Sequence, residues 1–361
     1  MMKASPLINL HRSNGAVLAE RDGWLLPAHF GNPAAEYDAV RRAAGLIDFS
    51  HRGLLQFTGP DRLSFLQGML SNDVRALKPF DGQYAALLTQ QGKVLADVRV
   101  LCAMNSLYLD FWENLQEKIL AHLNRYLIAD EVEIAARSQE YAILSLQGPA
   151  SQAVLQKVTG AGADLPTLSK QHAMVAIEGA AACLVYDSHT GEAGYDLIAP
   201  IASLPAIAAK LTDIGKQFAV SWVGEDALNV LRLEAGIPRY GVDFGEDNLL
   251  LEVGIDNAVS FTKGCYLGQE VVERIRSRGH VNRKLCGLVI DGAQAVDPGD
   301  IVQVESRVVG RITSSVISPR LQRPIALGYL HRDFCAPDTA VAIGRSLRHA
   351  TVAALPFLQS S

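Results

Sequence analysis

Lys263-Gly264-Cys265-Tyr266-Leu267-Gly268-Gln269-Glu270 gathers a cation, a thiol, an aromatic ring and a carboxylate around two glycines. A basic run follows, with Arg274, Arg276, Arg278, His280, Arg283 and Lys284. The thiolate is the reactive form of cysteine, and neighbouring cations favour it, so Lys263 and these arginines make Cys265 the first functional candidate. The flanking glycines allow a tight turn and a close backbone approach. Two blander readings compete. A lone cysteine is more often a small buried hydrophobe, and a basic run is more often a solvated face than a site for an anionic ligand or acidic partner.

The surrounding elements are legible from periodicity. A helix is expected over 34–44, closed by Gly45. Leu54 to Thr58 reads as a strand, followed by Gly59-Pro60-Asp61 and a periodic run from Leu63 to Leu70. The same strand, Gly-Pro and helix order recurs 89 positions later, in Ala142 to Gln147, Gly148-Pro149 and Val154-Leu155. This suggests either an internal duplication or two α+β subdomains. Between the two, Gln83 to Thr89 and Val94 to Met104 predict a hairpin, and Asn114 to Leu127 a helix with one apolar face. Further strands are expected over 173–177 and 181–186, helices over 201–214 and 226–235, and an extended segment over 243–257. From Leu285 onward, short apolar runs separated by turn residues predict a small β-barrel or sandwich.

Composition bounds the function. A chain of 361 residues, 49% hydrophobic and 20% charged, has the size for two or three ordinary globular domains. A net charge of −5 argues against nucleic acid as the main partner. No long apolar run or secretory signal pattern stands out, which points to a cytoplasmic protein without a membrane partner. Cys102, Cys183, Cys265, Cys286 and Cys335 form no Cys-x-x-Cys pair, so the spacing proposes no disulfide framework and no resident metal site. Cys102 and Cys183 sit in apolar runs and read as core.

The Lys-Gly-Cys-Tyr-x-Gly-Gln-Glu string, with Arg274 four residues beyond its glutamate, resembles the signature of YgfZ-type folate-binding proteins, relatives of the glycine-cleavage T-protein. The resemblance runs nearly end to end, through Phe49 to Gly53, Thr58 to Asp61, Ser71 to Val74, Gln83-Tyr84, Gly92 to Asp97, Thr190 to Tyr195, Arg232 to Gly236 and Ile325 to Tyr329. It implies an α+β fold of three domains in a ring around a central tetrahydrofolate site, ending in a β-barrel. The expected boundaries are 1–52 with 138–284, an inserted 53–137, and 285–361.

By residue, the resemblance assigns Tyr84, Asp97, Glu192 and Arg232 to the folate site, and Asp97 and Cys265 to chemistry. A carboxylate at Asp97 can hold a proton or stabilise developing positive charge, and Glu192 can accept from the amino-pyrimidinone edge of a pterin. The basic run 274–284 would receive the folate's glutamate tail or an acidic partner surface. The family's implied role is support of iron–sulfur cluster assembly or repair, with iron–sulfur client or assembly proteins as partners. The alternative is a tetrahydrofolate-dependent aminomethyl or one-carbon transferase. Three departures from the T-proteins bear on that choice: His189 stands in place of a tyrosine, Leu228 in place of an arginine, and Cys265-Tyr266 in place of an Asp-Phe segment.

Overall fold

The computed structural model describes residues 2–160 and 163–358. The chain is mixed α+β and divides into two compact units, residues 1–85 with 97–228 and residues 86–96 with 229–361. Among the described residues no helix is long and apolar enough to cross a membrane.

The first unit begins with a small sheet that periodicity does not reveal: β1 (Lys3–Ala4), β2 (Val17–Arg21) and β3 (Trp24–His29), in the order β1-β3-β2. Helix α1 (Ile8–Ser13) lies between its first two strands. Asp22 and Gly23 both have positive φ, and Arg21 pairs with Trp24, so Asp-Gly makes the two-residue hairpin turn for which that dipeptide is suited. Helix α2 (Pro33–Arg42) starts where Asn32 accepts from the backbone of Ala34, with proline in the first turn. Gly45 does not close that helix, contrary to expectation. It opens β4 (Gly45–Asp48), and a Cβ there would lie 2.5 Å from Val223 and 2.6 Å from Val40, so packing rather than capping requires glycine.

Two sheets then repeat one plan. The first runs β5 (Arg52–Thr58), α3 (Arg62–Met69), β6 (Gly82–Leu88), β7 (Val94–Cys102), β8 (Leu107–Trp112), α4 (Gln116–Tyr126) and β9 (Glu133–Ala136), in the order β6-β7-β8-β5-β9. The second runs β10 (Tyr141–Gln147), α5 (Ser151–Thr159), β11 (His172–Ile177), β12 (Ala180–Tyr186), β13 (Gly194–Pro200), α6 (Leu204–Gly215) and β14 (Ser221–Trp222), in the order β11-β12-β13-β10-β4-β14. Apart from the inserted β4, strand order and connections correspond. The Gly-Pro turns have the same cause in both. Gly59 and Gly148 have φ of +96° and +132°, and an added Cβ would lie 2.1 Å from the Glu131 carbonyl or 2.6 Å from that of Ala43.

Helix α7 (Glu225–Glu234), which enters the second unit at Asn229, leads to a segment that is not extended throughout. It contains α8 (Leu250–Val253) and a single turn at Asp256–Ala258. The Glu252 carboxylate accepts from the Leu249 amide at 3.2 Å, and Gly254 at φ +77° ends the helix, a local device that hydrophobic periodicity does not register. Helix α9 (Gln269–Arg278) precedes a closed barrel of β15 (Arg283–Ile290), β16 (Ile301–Val304), β17 (Arg307–Ser318), β18 (Arg323–His331), β19 (Ala340–Ile343) and β20 (Arg348–Ala353). Five of these strands are marked by apolar runs. The sixth, β20, closes the barrel with an Arg-His start that disguises it.

Candidate functional site

Asp97 and Tyr84 are brought together. They lie on the adjacent strands β7 and β6, and every residue of β7 is buried. The Tyr84 hydroxyl donates to Asp97 Oδ2 at 2.6 Å. The other carboxylate oxygen, Oδ1, is buried without a hydrogen-bond partner. Burial pushes the Asp97 carboxyl above its ordinary range, opposed by the Tyr84 hydrogen bond and the Arg52 charge. Burial, reinforced by the Asp97 charge, holds the Tyr84 phenol well above its usual value. The pair therefore offers one oxygen able to take or hold a proton.

Behind it lies an ion network absent from the sequence-based site. Two residues after Asp97, and so on the same face of β7, Arg99 pairs with Asp110 and Asp196 and donates to Asp187 at 2.6 Å. Arg52 Nε donates to Asp110 at 2.5 Å, and Lys170 pairs with Asp187. His189 lies 2.9 Å from Asp196 and packs edge-on against Phe49. Three cations thus face three aspartates in a buried cluster, which satisfies the requirement that buried charges be paired. The ligand atoms of Asp187, His189 and Asp196 fall within 4.8 Å of one another, as in many metal sites, but Arg99 already supplies a cation to both aspartates. Asp196 is held far below the ordinary carboxylate range: burial opposes this, but the charges of His189 and Arg99 outweigh it. The polar Asp97-x-Arg99 alternation inside an apolar strand was the available signal for the network.

Glu192 lies in the β12–β13 turn, where Gly191 has φ +84°. Arg41 donates to Glu192 Oε1 at 2.7 Å and to the Thr190 carbonyl at 3.3 Å, which fixes the carboxylate against α2.

In the second unit, Arg232 is buried. It donates to Asn229 at 2.8 Å, to the Ile237 carbonyl at 3.1 Å and to Asp243 at 2.7 Å. Asp243 in turn accepts from Thr313 and Ser314 of the barrel, at 2.7 and 2.5 Å. Arg232 thereby ties α7 to β17.

The 263–270 stretch is a helix entry. Gly268, at φ +84°, caps α9, and a Cβ on it would meet the Thr89 carbonyl at 2.6 Å. Gly264 has open space around it, so of the two glycines only Gly268 answers the expected need for a close approach. Gln269 begins the helix, and Glu270 lies in its first turn, where the dipole favours a carboxylate. Lys263 and Tyr266 are buried, and the Lys263 ammonium lies 4.9 Å from the Tyr266 ring centroid. Burial raises the Tyr266 phenol to about 12, and its hydroxyl lacks a hydrogen-bond partner. Cys265 is exposed, so the buried-hydrophobe reading does not apply to it. Arg274 and Arg276 are exposed on α9, with Arg276 also stacked 4.6 Å from the Phe261 ring, while the side chain of Arg278 lies outside the described set.

The family model of the GCVT N-terminal domain matches residues 7–263, and that of the glycine cleavage T-protein C-terminal barrel domain matches residues 283–359. The chain belongs to the glycine cleavage T-protein family. It is 34% identical to an aminomethyltransferase of Rubrobacter xylanophilus over 331 residues, covering 91% of this chain and 87% of that one. It is 32% identical to an aminomethyltransferase of Bacillus subtilis over 371 residues, covering 99% of each. The crystal structure of glycine cleavage system aminomethyltransferase T from Bartonella henselae matches all of this chain and 99% of its own, with a TM-score of 0.91 at 27% identity. The T-protein-like fold and its C-terminal barrel therefore hold for this family member.

Proposed function

We propose that the protein binds tetrahydrofolate and transfers an aminomethyl or other one-carbon unit to or from it, with Asp97 as the catalytic carboxylate. The observation that carries this reading is Asp97 itself, with one oxygen fixed by Tyr84 and the other buried and unpartnered. An orphaned carboxylate oxygen in a buried site is costly unless a ligand N–H or a proton completes it. Tetrahydrofolate, when bound, supplies nitrogen atoms that carry the one-carbon unit. Asp97 Oδ1 would hold a proton at those nitrogens or stabilise positive charge there, with Tyr84 orienting the carboxylate. Glu192, set in place by Arg41, would accept hydrogen bonds from the pterin's donor edge.

Full-length aminomethyltransferase relatives support the transferase reading over a purely cluster-related role. Titration calorimetry with tetrahydrofolate is the first test, and absence of binding overturns the proposal. If binding occurs, turnover with an aminomethyl donor must be present in the wild type and severely reduced in Asp97→Asn.

A second reading rests on a different observation. Cys265 is exposed between two buried residues, Lys263 and Tyr266, as a thiol presented to a partner would be. This favours the YgfZ-type role in iron–sulfur cluster assembly or repair, with an iron–sulfur client or assembly protein as the partner. A Cys265→Ala protein that still complements a strain lacking its own copy removes that support and leaves the folate reading intact.

A further inference from the structure

The barrel holds two thiols that the folate site does not use. Cys286 lies on β15 and Cys335 follows the single turn Arg332–Phe334 after β18. Cys335 Sγ lies 3.4 Å from the Leu330 and His331 carbonyls, and Cys286 Sγ lies 3.5 Å from the Lys284 carbonyl. Lys284 and Leu330 are direct partners in the β15–β18 ladder, so both sulfurs converge on one rung of it. Cys335 also packs against the core cluster that contains Cys286.

We infer that Cys286 and Cys335 form a reversible disulfide site in the barrel, oxidised by a low-molecular-weight disulfide. Access assigns the order of events. Cys335 is partly exposed and Cys286 is buried, so Cys335 meets the oxidant first. The thiols are also polarised in that sense. The contact between the two thiols lowers the proton affinity of Cys335 and raises that of Cys286, burial raises Cys286 further, and the nearby Lys284 charge favours the thiolate. In the first step the Cys335 thiolate attacks one sulfur of oxidised glutathione. A protein–glutathione disulfide forms, the glutathione S–S bond breaks, and one glutathione thiolate leaves with the proton that Cys335 gave up. In the second, Cys286 loses its proton and attacks Cys335 Sγ, forming the intramolecular disulfide and releasing a second glutathione. Two protein thiols are oxidised and one glutathione disulfide is reduced to two thiols. The product pins the 332–334 turn to β15 and restricts the unfolded chain.

The test incubates the full chain with oxidised glutathione, alkylates the remaining thiols and maps tryptic peptides. The expected result is a linked pair of peptides, one containing Cys286 and the other Cys335, with no glutathione or alkyl group on either, whatever the state of the exposed Cys265. The melting temperature rises on oxidation and returns on reduction. Cys286→Ser should retain glutathione on Cys335, whereas Cys335→Ser should leave Cys286 unmodified. A wild-type protein that keeps glutathione on Cys335 without forming the link, that leaves both residues alkylatable, or that links either one to Cys265 overturns the inference.

Discussion

In each of the two sheets that share one strand plan, the fifth residue before the Gly-Pro glycine starts a row across three strands. In the first the row is Leu54, Asp110 and Arg99, and in the second it is Ile143, Ile198 and Cys183. Two residues before the last member of each row, Asp97 on β7 in the first sheet corresponds to Ala181 on β12 in the second. The backbone plan is duplicated while the side-chain chemistry is not. One copy carries buried charge along β7; the other is apolar along the corresponding β12 and contributes Asp187, His189 and Asp196 from the turn and strand that follow. The fold supplies positions, and substitution at a few of them turns one sheet into a candidate site, as expected where function is grafted on a scaffold.

The two copies also differ in how their carboxylates titrate. Asp97 is raised and Asp196 lowered, because burial dominates at the first and nearby cations at the second. For Asp97 the folded protein holds the proton more tightly than the unfolded chain, so this contribution to stability is present at low pH and lost as pH rises through the raised native value. Asp196 behaves oppositely, and its contribution is lost as pH falls below the ordinary carboxylate range.

The largest expected effect separates Asp97 from its counterpart. Asp97→Asn should lower the transfer rate roughly 10²–10⁴-fold, whereas Ala181→Ser should leave it near wild type. Stopped-flow turnover with an aminomethyl donor checks both, and equal rates in the two variants would remove Asp97 from the chemistry. Denaturant midpoints followed against pH add a sign: Asp97→Asn should gain on the wild type as pH rises, and the gap should close in acid.

Arg99 and Cys183 come next. Arg99→Met strips a cation from three buried aspartates and should cost about 3–5 kcal/mol. Cys183→Ala, at the corresponding place, should cost about 1 kcal/mol. Urea unfolding measures both, and a mild Arg99 variant would mean that Arg52 and Lys170 suffice for the cluster.

Gly59→Ala and Gly148→Ala test the shared part of the plan. Each forces a side chain into positive φ against a carbonyl and should destabilise by roughly 1–3 kcal/mol. Thermal unfolding that finds a large loss in only one would show the two turns to be alike in shape but unlike in constraint.

The smallest effect concerns the β12–β13 turn, which carries Glu192, while the corresponding β7–β8 turn, 103–106, carries no carboxylate. Glu192→Gln should raise the tetrahydrofolate dissociation constant about tenfold, read by calorimetry. An unchanged constant would leave the Arg41 pair as a purely structural contact.

Much of this is legible in the sequence. The Gly-Pro turns, the apolar stripe of α4 and the short barrel strands announce themselves through period and turn chemistry. Tyr84 and Asp97 could be named from the family order. Their mutual hydrogen bond could not, because a strand sequence does not say which residue of its neighbour it faces. The β2–β3 hairpin was within reach through Asp22-Gly23. By contrast, the burial of β20 and α8 is decided by the barrel wall and by the Glu252 contact with Leu249 rather than by their own periodicity.

By itself the sequence determined many of the local elements, the Gly-Pro turns among them, and the membership of the chain in its family. These depend on interactions between near neighbours, which composition and spacing encode directly. Only the tertiary structure decided that Arg99 would meet Asp110, Asp187 and Asp196, and that Cys286 and Cys335, far apart in the chain, would converge on one rung of the barrel. Those meetings depend on strand order and register, which bring together residues whose separation along the chain carries no sign of their contact.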